Sequence, residues 1–355
     1  SYLMQKSSYN NHYYLVWLVS GIMAYVPAHA YQSIDAKNNP NLRSLTTPKW
    51  VLIAFKLQIA LVYIYAAIAK LYPGWYENKF LGIRLNDAAH WFENTMQIPA
   101  MTTLLRYEPF QYFLTYSGIA FDFLIIPMLL IKKTRKIAFI GLLTFHLMNS
   151  IILQIGIFPY FAIAFAIFYF PADYIERLFF RKKRTLTAEK SLATPDNKSK
   201  VFITIVLAVY FAIQLFLPIR HWLIPGDVLW TEEGHRLSWR MMLRTKSILH
   251  YAQFTVKIPA TQTSEPINLF DYVTKSQAGD LSMKPDMIWQ FAQYLEKEYQ
   301  KNGVEDEIEV YVYTKIGVNG SDFYLLADPD VDLTAVNWNY FGHQDWLLDT
   351  PAEIK

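Results

Sequence analysis

Residues 50–75 read WVLIAFKLQIALVYIYAAIAKLYPGW, and this stretch decides the fold. Its apolar part, residues 50–69, has about the 20 residues that an α-helix needs to cross a bilayer core. Lys70 follows directly, and the Pro-Gly pair at 73–74 then ends the helix. Trp75 is typical of a membrane interface. The stretch therefore predicts a transmembrane helix that ends on a lysine.

Two interpretations of Lys70 are open from this stretch alone. In the first, the stem lies along apolar surface and the ammonium reaches the lipid headgroups. In the second, apolar surroundings deprive the amine of water, favour its neutral form and allow it to act as a general base. The choice depends on what the other apolar segments bring close to it.

Composition places the chain among membrane proteins. Of its 355 residues 53% are hydrophobic and 17% aromatic, more than in an ordinary soluble protein, and the excess is concentrated before residue 218. The chain has no cysteine, which excludes disulfides, thiolate metal sites and cysteine nucleophiles. The net charge of +3 is small, so we expect no nucleic-acid partner. The polar first eleven residues do not have the form of a signal peptide.

The apolar segments predict an α-helical integral membrane domain over residues 1–224. A break at Gly156 and Pro159 divides the long stretch 137–170 into two short segments. The predicted spans are 13–28, 50–69, 110–131, 137–153, 157–170 and 201–217.

Residues 225–355 predict a smaller, β-rich extramembrane domain with one covering helix. Segments 254–258, 308–314 and 323–326 have strand composition. The helix is expected over 285–302, because an apolar stripe repeats at helical spacing between a proline that suits the first turn and Gly303, which suits the position after the end.

Basic clusters predict the orientation. KKTRK at 132–136 and RKKR at 181–184 flank the paired segments on both sides, so the positive-inside rule places both clusters in the cytoplasm. The polar segment 185–200 is then a cytoplasmic linker, and Lys70 lies at the outer end of its helix. We expect an integral protein of the bacterial inner membrane, in contact with membrane lipid, with residues 225–355 facing the periplasm.

Polar residues inside the predicted spans call for an explanation, because placing a polar group in the bilayer core costs free energy. Asp122 either forms a hydrogen bond to a neighbouring helix or handles a proton beside a lysine. His146 and Asn149 lie three residues apart, on one face of a helix. His146 is either a core histidine with its hydrogen bonds satisfied or, together with Asn149, part of a ligand-binding face. Lys56 and Gln58 are interpreted as interfacial. No histidine spacing of a metal site, no phosphate-binding loop and no GxSxG motif occurs, so we expect no metal.

Several segments together resemble one enzyme family. They are NNHYYL (10–15), HAYQSID (29–35), residues 57–75, TRKIAFIGLLTFHLMNSIILQIGIFPY (134–160), residues 217–247 with GHRLSWRMM, and PDMIWQFAQYL (285–295). In this order they resemble the vitamin K-dependent γ-glutamyl carboxylases, including bacterial homologues with an HTTM-type membrane domain. The resemblance implies that reduced vitamin K is oxidised by O2 to its epoxide, and that the strong base formed on the way allows CO2 to be added to a protein glutamate.

The resemblance also implies a set of site residues. Lys70 matches the catalytic base of the family, and His29 matches a histidine associated with carboxylation. Position 69 is alanine where animal members have a second lysine. The positions that match the quinone-binding or epoxidation region are His146, Asn149, His235, Ser238 and Trp239. The implied partners are the quinol and a glutamate-containing protein or peptide.

One conflict follows from the predicted topology. If residues 13–28 cross the membrane, His29 lies at the inner side and Lys70 at the outer side, about 30 Å apart along a 20-residue helix. We therefore expect residues 13–28 not to cross, and residues 30–49 to return towards Lys70. Alternative functions are a quinol epoxidase without carboxylation and a non-catalytic quinone- or lipid-binding membrane protein.

Overall fold

The chain has a helical N-terminal region with several apolar helices and a smaller, sheet-containing C-terminal region, which confirms the predicted fold class. The computed structural model describes residues 9–31, 33–44, 46–179 and 197–354. The basic cluster 181–184 and most of the predicted linker 185–200 lie outside the described residues.

Helices occupy most of the N-terminal region. In chain order they are α1 (Asn11–Ala24), α2 (Ile34–Asn38), α3 (Lys49–Ala69), α4 (Pro73–Tyr76), α5 (Lys79–Trp91), α6 (Pro99–Arg106), α7 (Glu108–Leu130), α8 (Arg135–Ile152), α9 (Phe158–Ala166), α10 (Ala172–Phe179) and α11 (Asn197–Ile219). Among the described residues four helices are long and apolar enough to cross a membrane, namely α3, α7, α8 and α11. Prolines in the first turn help to start α4, α6 and α9, since proline is preset for that position.

The core of the membrane region forms where α3 packs against α7, α9 and α11, and α7 against α8. Apolar side chains at helical spacing on these faces are buried together, among them Val62, Ile125, Leu142 and Phe165. Trp75 is also buried, with 4% of its surface exposed, and its indole N–H donates to the carbonyl of Thr115 at 3.1 Å. The expectation that Trp75 lies at a membrane interface is therefore wrong, because α7 covers it.

α11 contacts the other helices mainly through polar side chains. The Tyr210 hydroxyl donates to Oε1 of Gln58 at 2.6 Å, and Nε2 of Gln214 donates to the Tyr14 hydroxyl at 3.0 Å. The Tyr65 hydroxyl donates to the carbonyl of Leu215 at 2.5 Å. Gln58 is 1% exposed, so its interpretation as interfacial is wrong. Its amide is covered by α11, where Tyr210 gives it a partner.

The C-terminal region contains two antiparallel three-stranded sheets. The elements are α12 (Val228–Thr231), β1 (Lys246–Ile248), β2 (Gln253–Ile258), β3 (Thr263–Ile267), α13 (Lys275–Met283), α14 (Pro285–Lys301), β4 (Glu309–Tyr313), β5 (Lys315–Val318) and β6 (Tyr324–Leu325). The strand orders of the two sheets are β1-β5-β6 and β3-β2-β4.

Helix α14 covers the β3-β2-β4 sheet. Its stripe of Ile288, Phe291 and Leu295 is buried, and the Phe291 ring meets Phe254 of β2 at 4.9 Å between centroids. Gly303 has φ +92°, a conformation that glycine adopts without the steric penalty of a side chain, as expected just after a helix end. The apolar stripe of the sequence predicts this helix, but no such stripe predicts α13.

Residues 235–244, the inserted segment, join the two regions. Trp239 is fully buried in the membrane-region core and stacks on Tyr14 at 4.9 Å between ring centroids. The main-chain N–H of Leu237 donates to the Tyr9 hydroxyl at 2.6 Å, and Nδ2 of Asn11 donates to the Arg240 carbonyl at 3.2 Å. The start of α1 is thereby held against the C-terminal region.

The backbone of the inserted segment is strained. Leu237, Trp239 and Met242 have φ of +62°, +57° and +56°. Non-glycine residues in this left-handed region cost about 1–3 kcal/mol each and persist only where the surroundings enforce them. Strain of this kind is concentrated at functional sites in other proteins, so the inserted segment is a candidate for one.

Candidate functional site

Lys70 is the C-terminal cap of α3 and forms a buried ion pair. Its Nζ lies 2.5 Å from Oδ2 of Asp122 on α7, and it also donates to the Ala66 carbonyl at 3.2 Å. The two residues are 8% and 6% exposed. The Trp75 ring centroid lies 5.3 Å from the same nitrogen. Lys70 is therefore turned into the protein instead of towards headgroups, and Asp122 is its charge partner.

The ion pair lies in the wall of a cavity of about 100 Å³, the Lys70 cavity. Most of its wall is apolar or aromatic, including Leu85, Phe145, Ile152 and Phe158. The polar groups that line it are those of Lys70, Asp122, Tyr63, Ser117, His146, Asn149 and His12. A space of this kind suits an aromatic ligand with a few oxygen atoms better than a strongly charged one.

His146 is fixed at one side of the Lys70 cavity. Its Nε2 lies 2.7 Å from the Tyr63 hydroxyl of α3, and the histidine is 2% exposed. The rings of Phe121, Phe145 and Phe158 meet it edge-on, with centroids at 5.8, 5.3 and 5.7 Å. The hydrogen bond and the rings together hold the imidazole in one orientation.

A second cavity of about 230 Å³, the cationic cavity, adjoins the first. His12, Met241 and Met242 line both cavities, so they form the boundary between them. The remaining lining residues are Tyr9, Asn10, Asn11, Glu232, His235, Arg236, Arg240, Arg244 and Lys284. With four cationic side chains and one carboxylate in its wall, this cavity favours an anion.

Arg240 has the least compensated charge in the cationic cavity. It is 8% exposed, its Nη1 lies 3.2 Å from Nε2 of His221, and its buried Nε has no hydrogen-bond partner. Burial lowers the pKa of Arg240 to about 10, which still leaves the guanidinium charged at neutral pH. No carboxylate among the described residues forms an ion pair with it. A buried cation without an anion is costly, so the site is suited to receive one.

Glu232 is the carboxylate partner of two cations, one of them in the wall of the cationic cavity. Arg244 and Lys246 both form ion pairs with it, at 2.9 Å in the case of Lys246. Burial opposes ionisation of Glu232, but these cations outweigh it and hold the pKa of the carboxyl well below its usual range. Burial lowers the pKa of Lys246 to about 8, although Glu232 opposes that shift.

His235 is neutral at neutral pH. Burial and the adjacent Arg244 hold the pKa of His235 well below its usual value. Nη1 of Arg244 lies 3.0 Å from Nε2 of His235, so that nitrogen accepts a hydrogen bond and the proton is assigned to Nδ1. The buried Nδ1 has no partner, and neither does Nε1 of Trp239 in the same segment. His235 lines the cationic cavity, so its donor is available to a ligand there.

The structure brings three of the sequence-predicted site residues to one cavity and one to the other. Lys70, His146 and Asn149 line the Lys70 cavity, and His235 lines the cationic cavity. Ser238 and Trp239 line neither of these two. They are buried in the inserted segment, where the Ser238 hydroxyl donates to the His235 carbonyl. Their contacts support the shape of this segment.

His29 lies away from both cavities. It belongs to a short 3₁₀ turn (Ala28–Ala30) after α1 and is exposed. The first residues of α1 line the Lys70 cavity, whereas its last turns and Tyr25 line an apolar groove with Trp50, at the other end of α3. α1 therefore runs antiparallel to α3. The expected return of residues 30–49 towards Lys70 is wrong, because α1 leads away from that end.

The structure shows a histidine at the site that sequence analysis did not select. His12 stacks on Phe158 at 4.9 Å between ring centroids and lies between the two cavities. It is the histidine of NNHYYL, one of the segments that carry the family resemblance. The motif could have drawn attention to His12, but the position of this histidine in the fold depends on the long-range contacts that hold Asn11.

Comparison with known families gives two matches. Residues 1–174 match the HTTM domain, and residues 199–353 match the lumenal domain of vitamin K-dependent gamma-carboxylase. The chain belongs to a gamma-carboxylase-like family. It is a gamma-carboxylase-like membrane protein whose domains are those of a carboxylase-type enzyme. No solved structure matches the chain.

The family implies a vitamin K cofactor, and the residue types that line the Lys70 cavity are compatible with its ring. Its aromatic and aliphatic wall suits a naphthoquinone ring, and Lys70, His146 and Asn149 offer polar atoms for the ring oxygens. These three residues would hold the group. Within the part of the chain that the structure describes, no cluster of histidine and acidic residues could hold a metal ion.

Glu232→Gln should destabilise the protein by about 3–5 kcal/mol at pH 7, because it leaves Arg244 and Lys246 without their carboxylate. The pKa of Glu232 is lowered by folding, so its stabilisation is present above its ordinary value of 4.5 and is lost as the pH falls through the folded value. Thermal unfolding of the wild type and of Glu232→Gln should therefore show a difference in stability that becomes smaller below pH 4.5.

The matched control is Asp173→Asn, which removes an exposed ion pair with Arg177 and should leave stability almost unchanged, because solvent screens such pairs. Equal destabilisation by the two variants, or a Glu232→Gln difference that is constant with pH, would contradict the assignment of the buried pair.

Proposed function

We propose that this protein oxidises reduced vitamin K at the Lys70 cavity and couples that reaction to carboxylation of glutamate in a protein or peptide. When held by Lys70, His146 and Asn149, reduced vitamin K would supply, with O2, the strong base for removal of a γ-proton of glutamate, so that CO2 could add. The observation that carries the proposal is the buried Lys70–Asp122 pair in an apolar cavity that adjoins a cationic one.

The Lys70 cavity meets two requirements of this chemistry. A group that accepts a proton must lie in its wall, and Nζ of Lys70 is the candidate there. Water must be kept out, since a strong base would be quenched by it. The apolar wall and the burial of Trp75 against Thr115 favour such exclusion.

The cationic cavity meets the requirement of a carboxylate substrate. Arg240 can donate charge-assisted hydrogen bonds from a guanidinium that has no ion pair among the described residues. The orphan Nδ1–H of His235 adds a neutral donor. A glutamate side chain held there would extend past Met241 and Met242 towards Lys70, because these methionines border both cavities.

His12 is the proposed histidine of the carboxylation step in place of His29. It lies between the group held by Lys70 and the carboxylate held by Arg240, whereas His29 is exposed beyond the far end of α1. The stack on Phe158 fixes the plane of its ring. From this position it can orient the reacting side chain and hold or release a proton.

The proposed location is the bacterial inner membrane, with the C-terminal region and both cavities on the periplasmic side. Basic residues at 132–136 lie where α7 turns into the first residues of α8, at the end opposite Lys70, which supports this orientation by the positive-inside rule. A periplasmic protein or peptide with accessible glutamate residues is then the proposed partner, and the quinol comes from the surrounding lipid.

Purified protein with reduced vitamin K, O2, labelled CO2 and a glutamate peptide should form epoxide and labelled peptide. Lys70→Met should lower the epoxide rate at least ~100-fold, because proton transfer by a positioned side chain contributes about that much. Both products are measured by chromatography. Lys56→Met, on the same helix but outside the cavity, is the control and should retain activity.

An unchanged epoxide rate in a folded Lys70→Met protein would remove Lys70 from the mechanism. Epoxide without labelled peptide in the wild type would indicate a quinol epoxidase without carboxylation. Absence of both products, with thermal stabilisation by the quinone, would indicate a binding protein.

His12→Ala should reduce label incorporation more than His29→Ala, since only His12 borders both cavities. We expect a loss of at least ~10-fold for His12→Ala, within the range of general acid–base contributions, and near wild-type rates for His29→Ala. The label in the glutamate peptide is counted under saturating quinol. The reverse order of the two variants would restore His29 to the site.

Arg240→Gln should uncouple the two products. Loss of charge-assisted hydrogen bonds to a carboxylate, worth about 1.5–3 kcal/mol, should lower label incorporation ~10- to 100-fold, mainly as a higher KM for the peptide. Epoxide formation should continue, because Arg240 does not line the Lys70 cavity. Arg177→Gln, at an exposed arginine, is the control. A parallel loss of both products would contradict a separate carboxylate site.

A further inference from the structure

We propose that Lys70 and Asp122 act as one proton acceptor, and that the carboxylate of Asp122 is a working part of it. This inference rests on the proposed function and concerns how that site takes up a proton. Its basis is the geometry. Nζ and Oδ2 lie 2.5 Å apart, the two residues are 8% and 6% exposed, and both line the Lys70 cavity.

A lysine alone meets a difficulty in this role. An ammonium cannot accept a proton, and a neutral amine beside a carboxylate tends to capture one. The pair resolves this difficulty, because one proton can lie on either partner while the total charge stays at zero. The two groups are close enough for that proton to pass directly between Nζ and Oδ2 without bulk water.

The proton balance follows directly. When the O–H bond of the bound quinol breaks, the electron pair remains on its oxygen, and the proton forms a new N–H bond on Lys70 or a new O–H bond on Asp122. The pair changes from zero to one positive charge and the quinol from zero to one negative charge. The cavity therefore stays neutral overall, which avoids the cost of an uncompensated charge in an apolar space.

The wall of the Lys70 cavity contains no second carboxylate for this purpose. Among the residues that line the Lys70 cavity, Asp122 is the single acidic one. The other titratable groups that face the pair are Tyr63 of α3, His146 of α8 and His12 of α1, and the adjoining cavity adds Glu232, His235, Arg240 and Arg244. Tyr63 and His146 are already hydrogen-bonded to each other.

The opposite hypothesis makes a different prediction. If Lys70 alone is the base and Asp122 merely keeps it charged, removal of the carboxylate increases the share of neutral amine. Asp122→Asn would then be as active as the wild type at neutral pH, or more active. If the two groups form one acceptor, the same variant leaves a lone amine that takes a proton and holds it.

The first measurement is the pH profile of epoxide formation in wild type, Asp122→Asn and Asp122→Glu. In the wild type, the acid limb of the profile marks the binding of a second proton to the pair. The pair is then a carboxylic acid beside an ammonium, and it releases this proton easily. In Asp122→Asn the acid limb marks the amine alone, a stronger base than a carboxylate, so the limb should move to higher pH. We expect at least a ~100-fold loss at pH 7 that diminishes in alkaline buffer, with partial rescue in Asp122→Glu.

The second measurement does not depend on turnover. Binding of an ionised hydroxynaphthoquinone, as a mimic of the quinol anion, should add one proton to the pair. Infrared difference spectra should then show the carbonyl band of a protonated carboxylic acid, which should be displaced in Asp122→Glu and absent in Asp122→Asn. Asp173→Asn, at an exposed carboxylate, should leave the band unchanged.

The outcomes separate this inference from the proposed function. Absence of epoxide in the wild type defeats the proposed function. If the wild type forms epoxide, any one of three results overturns the proposal that Lys70 and Asp122 form one acceptor. These results are an acid limb at the same pH in Asp122→Asn as in the wild type, a loss of activity that is equal at every pH, and the absence of the carboxylic acid band. If Asp122→Asn does not fold, the band in the wild type and its displacement in Asp122→Glu still decide.

Discussion

A lysine and an aspartate buried together at the end of a membrane helix place the strongest constraint on this structure. Moving each charge out of water costs several kcal/mol, and the cost is recovered only with close geometry and further hydrogen bonds. The structure meets that condition through α7, which brings Asp122 to Lys70, and through the carbonyl of Ala66. Lys70 caps the C-terminal end of α3, and Pro73 in the first turn of α4 prevents α3 from continuing.

The C-terminal region supplies part of the wall of both cavities. Its inserted segment carries Met241 and Met242 to the wall of the Lys70 cavity and presents Arg240 and His235 to the adjoining one. Three residues of this segment hold left-handed backbone conformations at a cost that the packing of Trp239 against Tyr14 helps to offset. A reaction that links a lipid-soluble reductant to a polar carboxylate needs a boundary of this kind.

The sequence was sufficient for the parts of the structure that depend on local pattern. Apolar length located α3, α7 and α8, proline and glycine located α14, and the cost of a carboxylate in a span singled out Asp122. The sequence did not predict the features that depend on long-range contacts. The burial of Trp75 and Gln58 depends on α7 and α11, which come far later in the chain.

The choice of histidine shows the same limit. His29 and His12 both lie in segments that carry the family resemblance, and nothing local distinguishes a histidine at the start of α1 from one after its end. The direction of α1 relative to α3 decides it, and that direction is set by contacts of Asn11 and Tyr9 with the inserted segment.

The polar contacts of α11 have a consequence for how the sequence of this helix can vary. Lipid tails are as apolar as leucine, so apolar side chains gain little from leaving them for another helix. Tyr210 and Gln214, four residues apart, instead give the helix one rotational setting through oxygen and nitrogen atoms on a single stripe. Drift among apolar residues on its lipid-facing sides should leave the fold intact, while the loss of Tyr210 or Gln214 would remove one of the hydrogen bonds that set the rotation of the helix.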